Sequence, residues 1–436
     1  MKSYPSYISP HVNWLDDVPS HWNIKMIKHV FHPRDEKTED GNEELLSVLI
    51  RKGVVKRRAF LDDESEHLTR SKSLIGYRLC SKGNLVNNIM KMGFYCLGIS
   101  DYEGIVSPAY SVFEIIDEDD IPRYWEYLLK TELYVSEYRK KSKGIQASRM
   151  RLYDDYFLPI HTLYPPKDEQ HQIVSFLDSK TQKIDKLIEI TEQKIELLKE
   201  QRTALINQCV TKGLNPNVEM KDSGVEWIGE IPKDWDISKF KYISEIVTGN
   251  TPPKANEELH YTDSKKGFLW VKPTSLNKGL NYVNESVEHL TEEGKLATRV
   301  IPKDSTMICC IGNTIGKHSI SGQELSTNQQ INSVIPNQTR LHPYFCLLYA
   351  NVFTRDLLKW ANYVTLPIFT KSDLEDTSFL LPPLEEQTAI VETIRSENRL
   401  FDSTIEKESQ RIELLKEYRQ ALISEVVTGK IDVRGL

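Results

Sequence analysis

The stretch RKGVVKRR places Arg51, Lys52, Lys56, Arg57 and Arg58 within eight residues with no acid among them. A second run, RKKSKGIQASRMR, carries Arg139, Lys140, Lys141, Lys143, Arg149 and Arg151, again without an acid. Cations of this density hold phosphate oxygens, and the neighbouring Tyr110, Gln146, Ser148 and Tyr153 are polar or aromatic types that can read a nucleic-acid surface. Further along, KPTSLNKG, GNTIGKHS and STNQQIN offer Lys272, Thr274, Ser275, Asn313, Thr314, Lys317, Asn328, Gln329 and Gln330. Asn and Gln bond adenine through two contacts, and Lys reaches guanine or phosphate. A charge run is also what a solvated face looks like, so neither basic stretch decides the matter by itself.

Chemistry that would make the chain an enzyme is missing. GNTIGKH lacks the four residues between glycines and the Ser or Thr after Lys that a phosphate-binding loop needs, since three residues intervene and His318 follows Lys317. GNTPPK has Thr251 and Lys254 where an amino-methyltransferase motif would have the Asn-Pro step and an aromatic. No glycine-rich cofactor turn follows a strand, and acid-rich pieces such as HPRDEK are what so charged a chain supplies by chance. The six cysteines form no C-x-x-C pair and read as buried free thiols, while His11, His21, His29 and His32 are not spaced as metal ligands. The net charge of −7 opposes a uniformly basic surface, leaving local clusters to do any phosphate binding. With no apolar leader and no run long enough to cross a bilayer, a cytoplasmic location is expected.

The elements that must position these residues are written twice. IELLKE occurs at Ile195 to Glu200 and again at Ile412 to Glu417. Placing Pro165 over Pro382 aligns the chain with itself without a gap through Lys212 over Gly429, and 23 of 48 positions are identical, where about three would match by chance. Each copy opens on two prolines, has acids in the first turn (Asp168 and Glu169; Glu385 and Glu386) and meets a glycine at its end (Gly213; Gly429), the start and stop signals of one long helix. The stripe Ile173, Leu177, Ile184, Ile188, Ile195, Leu198 and Leu205 steps by fours and threes and its multiples, and Ile390, Ile394, Phe401, Ile405, Ile412, Leu415 and Leu422 repeat the phase. That spacing is the seam of a helix pair. A helix of this length spans about 70 Å, more than a single domain needs, so each copy is expected to bury its stripe on the other. An antiparallel pair is favoured because it relates the two halves by a pseudo-twofold axis.

The repeat also reaches upstream, where Trp14, Pro19, Trp22, Ile24 and Lys28 overlie Trp227, Pro232, Trp235, Ile237 and Lys241. The contents between frame and helix differ: 32–160 and 245–380 admit no convincing alignment. Both are rich in short β-type runs broken by Gly, Pro, Asn and Asp, and each carries one helical stretch, PRYWEYLLKTELYVSEYRKK and HPYFCLLYANVFTRDLLKW, before its last loop. The expected organisation is α+β: a mixed domain at 1–160, a long helix at 165–212, a second mixed domain at 215–381, a second long helix at 382–429 and a tail at 430–436.

Taken in order, SGVEWIGEIPKDW, TGNTPPK, GNTIGK and TNQQIN in the second half, GIVSPAYSVFEI in the first, the paired PP-x-[DE]-EQ helix starts and the ending VVTGKIDVRGL give the chain its likeness. It resembles the specificity (S) subunit, HsdS, of type I restriction-modification enzymes from about Trp14 to Arg434. One departure is local, YPPKDEQHQ standing where a start like LLPPLEEQ is usual. The resemblance implies two target-recognition domains separated by two long antiparallel coiled-coil helices. Each domain would read one half of a bipartite, asymmetric double-stranded DNA site, and the helices would set the spacer and dock two methyltransferase (M) subunits. It implies no catalytic residue and no cofactor on this chain, with S-adenosylmethionine, ATP and Mg²⁺ on the methyltransferase and restriction (R) subunits. A methyltransferase-only or fused type II-like system would use the same kind of subunit. A freestanding nuclease-methyltransferase and a protein-binding coiled-coil scaffold are the readings from other classes.

Overall fold

The computed structural model describes residues 2–60, 73–144, 150–225, 228–253, 257–276, 278–355, 357–363 and 367–435. It divides into two compact units, one formed by Met1–Glu192 with Ser409–Leu436 and the other by Gln193–Glu408. The boundaries fall inside the two long helices, so each unit takes one half of each helix.

In the first unit β1 (Phe31–Pro33), β2 (Leu85–Asn88), β3 (Leu97–Ile99) and β4 (Tyr110–Ile115) make a four-stranded antiparallel sheet in the order β1-β4-β2-β3. A hairpin, Leu46–Leu49 with Gly53–Lys56, lies beside it. The helical stretch expected before the last loop is two helices, α1 (Pro122–Leu129) and α2 (Glu132–Lys141). Pro122 opens α1 because its missing N–H costs nothing at a helix start. Their rings Tyr124, Trp125, Tyr134 and Tyr138 are fully buried, filling the core under the sheet. His161–Tyr164 then pairs antiparallel with Asn23–Met26 and leads into the first long helix, α3 (Lys167–Lys212).

The second unit holds β5 (Ser244–Thr248), β6 (Thr306–Cys309), β7 (His318–Ser321) and β8 (Ile331–Pro336) in the order β5-β8-β6-β7, with Lys278–Val283 added parallel at the β7 edge. A second five-stranded sheet, which includes Phe268–Val271 and Leu325–Thr327, stands beside it. Helix α4 (Pro343–Phe353) is followed by Ser378–Leu381 paired with Asp236–Lys239, and then by the second long helix, α5 (Leu384–Val427).

Registers supply the alignment of the two middles that sequence identity does not. Leu85 faces Ile99 and Phe113, and Thr306 faces Ile320 and Val334. Asn88, Tyr110 and Pro122 correspond to Cys309, Ile331 and Pro343 at the same offset as Leu85 to Thr306. The backbone ladder fixes this correspondence, while the side chains riding on it are unlike (Val86 against Met307, Ser111 against Asn332), so sequence identity passes it by.

Within each unit the long helices run antiparallel. In the first, Arg419 Nε pairs with Asp185 at 2.8 Å, and Ile173, Leu177 and Ile184 share a core with Leu422, Val426 and Val427. In the second, Arg202 bonds Asn398 and Asp402, each at 2.8 Å, Lys194 pairs with Glu408, and Ile206 and Val210 pack with Ile390 and Ile394. Every stripe residue named from the sequence is buried or half-buried, and the first Leu of each IELLKE is not: Leu197 is 57 % and Leu414 65 % exposed. Each helix ends on a left-handed glycine that only Gly fits, because a Cβ on Gly213 would lie 3.3 Å from the Trp235 ring and one on Gly429 2.4 Å from Pro19. The chain ends meet in the first unit, where Asp432 N–H donates to the Lys2 carbonyl at 2.8 Å.

Candidate nucleic-acid interface

The two basic stretches of the first half, far apart in sequence, meet at one side chain. Arg51 sits at the tip of the Leu46–Lys56 hairpin with φ 62°, donates its N–H to the Tyr95 carbonyl at 3.1 Å and lays its guanidinium 4.8 Å from the Tyr95 ring centroid. Arg139, from the last turn of α2, reaches the same ring at 6.0 Å and donates to the Gly93 carbonyl at 2.8 Å. Both the Tyr95 hydroxyl and Arg139 bond the Glu132 carboxylate, which holds it below the usual carboxylate range despite the opposing effect of burial.

Other cations of these stretches divide by environment. Lys52, Lys56, Arg58 and Lys143 are exposed, whereas Arg57 is half-buried with its guanidinium 3.4 Å from Ser47 Oγ and Lys141 pairs with Glu137 at 3.4 Å. Tyr110 is half-buried across from Asn88, and burial pushes its hydroxyl up. Gln146, Ser148 and Arg149 lie outside the described residues.

In the second half four separated motifs converge. Asn250 N–H donates to the Thr327 carbonyl at 2.9 Å, Asn328 N–H to Val271 at 3.1 Å and Cys310 N–H to Gln330 at 2.9 Å, joining TGNTPPK, VKPTS, GNTIGK and TNQQIN. Asn313, Thr274 and Gln329 are exposed there, with Ser275, Thr314, Lys317 and Gln330 half-buried at the margin. One expectation changes. Asn328 is 6 % exposed and its amide donates to Gln330 Oε1 at 3.1 Å, so it clips the turn and does not face outward. Lys272 pairs with Glu288 and lies 4.8 Å from the Trp270 ring centroid, with both members of the pair partly exposed.

Sequence reasoning missed Arg299, which donates to the Thr248 carbonyl at 2.8 Å, and Met90, Lys91 and Phe94, which lie on the loop after β2. Each is isolated or set among apolar neighbours in sequence, so no cluster announced it.

The domains are fixed to the helices by the Gln of each repeated EQ pair. Gln387 Oε1 accepts the His342 N–H at the start of α4 at 2.8 Å, and its Nε2 donates to the Arg340 and Pro382 carbonyls, each at 2.9 Å. Gln170 Oε1 takes the Ile121 N–H at the start of α1 at 3.3 Å, and its Nε2 donates to Pro165 at 3.1 Å. Both amides are fully buried, and each satisfies helix-end groups that would otherwise be orphaned.

All six cysteines are buried and free, and burial pushes Cys310 and Cys346 up to about 12, so both are protonated thiols at neutral pH. Among the described residues no group of three His, Cys, Asp or Glu could hold a metal, and no helix is long and apolar enough to cross a membrane.

Residues 232–417 match the family described as the type I restriction modification DNA specificity domain. The chain is 22 % identical over 441 residues to the putative type I restriction enzyme MjaX specificity subunit of Methanocaldococcus jannaschii, covering 96 % of both chains. It is 24 % identical over 207 residues to the HindI specificity subunit of Haemophilus influenzae, covering 46 % of this chain and 42 % of that one. Its fold matches a chain solved in work on complex assembly and conformational transition of the type I R-M system (TM-score 0.70, 15 % identity, 95 % of this chain and 99 % of that one). It also matches the HsdS subunit from Thermoanaerobacter tengcongensis (TM-score 0.58, 15 % identity, with the same coverage). The duplicated helix frame, the paired domains and these relatives agree: residues 232–417 match the type I restriction modification DNA specificity domain, and the chain along nearly its whole length is similar to type I specificity subunits.

Proposed function

We propose that this chain gives a type I restriction-modification complex its DNA sequence specificity, the first domain reading one half of a bipartite, asymmetric site and the second reading the other. The long helices set the unspecified spacer and dock methyltransferase subunits, which carry S-adenosylmethionine and the methylation chemistry, and restriction subunits add ATP-driven cleavage in the full cytoplasmic assembly. The observation that carries this reading is one sheet frame, in matching register, furnished with unlike loops in the two units and held by the same buried Gln to two copies of one helix. Two different readers on a repeated mount suit an asymmetric target.

Phosphate contacts position such a reader and base edges give it selectivity. Arg51, Lys52, Lys56 and Arg58 in the first domain, and Asn313, Lys317, Gln329 and Gln330 in the second, are the groups best placed to serve. Modification-sensitive sequencing of host DNA with and without the gene tests the proposal. A two-part motif methylated only when the gene is present is expected, and an unchanged methylation map would overturn it.

A further inference from the structure

The loop between β2 and β3 has a counterpart between β6 and β7 that is equal in length and closed by the same bond. Asn88 N–H donates to the Cys96 carbonyl at 3.0 Å, and Cys309 N–H to Lys317 at 2.8 Å. Each loop contains one 3-10 turn, Met92–Phe94 and Gly312–Thr314, and each places a left-handed residue just before its closing position, Tyr95 (φ 62°) and Gly316 (φ 84°). The side chains project oppositely. In the second domain Asn313 is exposed and Ile315 is buried; in the first, Met92 is buried and Phe94 is 51 % exposed. A β-carbon at Gly93 would lie 2.9 Å from Arg139 Cγ, so Gly93 is what lets α2 close on this loop.

A half-bare phenyl ring calls for an occupant, and the residues on its loop and on the segment bonded to it specify one. Lys91, Lys143 and Arg151 are exposed and make no ion pair among the described residues, with Lys143 lying 5.0 Å from the Tyr156 ring centroid, and Met90, Tyr153 and Tyr156 are exposed on the same two segments. The loop is tied to this basic segment by Leu152 N–H, which donates to the Ile89 carbonyl at 2.9 Å, and Lys143 and Arg151 bond each other through their backbones at 2.8 Å. An exposed apolar ring and exposed cations, carried on one loop and on the segment bonded to it, match a duplex, whose phosphates flank a stack of aromatic faces.

Resting on the DNA-reading function proposed above, we infer that Phe94 is the probe of the first domain: its ring seats on one base step, with Lys91, Lys143 and Arg151 on the flanking phosphates. Pressing an apolar ring against a step selects steps that unstack easily. The equivalent loop of the second domain offers the Asn313 amide, which selects by hydrogen bonds. The two half-sites are therefore read by different chemistry through the same loop.

The test uses the subunit assembled with its methyltransferase partners and duplexes bearing the motif found by sequencing, with 2-aminopurine placed at successive steps. Wild type should brighten the fluorophore at one step of one half-site. Phe94→Ala should abolish that signal, weaken binding at least tenfold and relax selectivity in that half-site alone, Phe94→Trp should retain both, and Asn313→Ala should relax the other half-site. If Phe94→Ala melts early, Phe94→Leu, which keeps bulk without the ring, carries the comparison. Binding within twofold of wild type with the fluorescence rise intact would overturn the assignment, as would loss of methyltransferase association with DNA selectivity unchanged, which would make the patch a protein interface. A methylation map indifferent to the gene would instead overturn the DNA-reading function itself.

Discussion

The imidazole of His342 caps α4 by accepting the Tyr344 N–H on Nδ1 at 3.1 Å, a role only the unprotonated atom can fill. Burial, helped by the charge of Arg395, holds His342 below its ordinary value. A histidine depressed in the fold contributes stability that is full above its unfolded value, about 6.5, and is lost as pH falls through the folded value. The chain should therefore lose melting temperature as pH falls below about 6.5, and His342→Asn, a cap that does not titrate there, should flatten that dependence; an unchanged slope would show another group to be responsible. Residue types were legible in sequence and their orientation was not. Asn313 and Asn328 look alike in GNTIGK and TNQQIN, yet one is exposed and the other clips a buried turn. Nothing in the sequence singled out Phe94, because only the register of a loop decides whether position 92 or 94 turns inward.

At the scale of elements the helix stripe was the most legible feature, since a period near 3.5 survives any surroundings. It is also selective within a single hexapeptide: in the second IELLKE, Ile412 is buried while Leu414 faces solvent. Ile412→Ala should cost about 2–5 kcal/mol in denaturant unfolding, and Leu414→Ala should stay within about 0.5 kcal/mol. Equal effects would mean that the seam is placed wrongly. The strands were legible as β-type runs but their kinship was not, because hydrogen bonds between backbones carry it and a sequence alignment scores side chains. Pro122 and Pro343, each opening the helix after the matching sheet, were the visible trace of it.

For the whole molecule, duplication was plain from the sequence, but the sharing of each helix between units was not, because contacts between residues more than two hundred positions apart decide it. The proposed spacer function gives a direct measurement. Removing one heptad from the middle of both long helices keeps the stripe in phase and shortens each by about 10 Å, or about three base pairs of duplex. The methylated motif should keep both half-sites and lose that many unspecified positions; methylation at the original spacing would refute the ruler. The paired loops carry a consequence of another kind. Main-chain atoms tie Asn88 to Cys96 and Cys309 to Lys317, so apart from the close approaches at Gly93 and Gly316 the knot does not depend on the side chains between them. On the proposed function, new targets would be spelled there by point substitution while the Gln mounts and the helix seam stay as they were, so a lineage would rewrite what it recognises without renegotiating how its parts assemble.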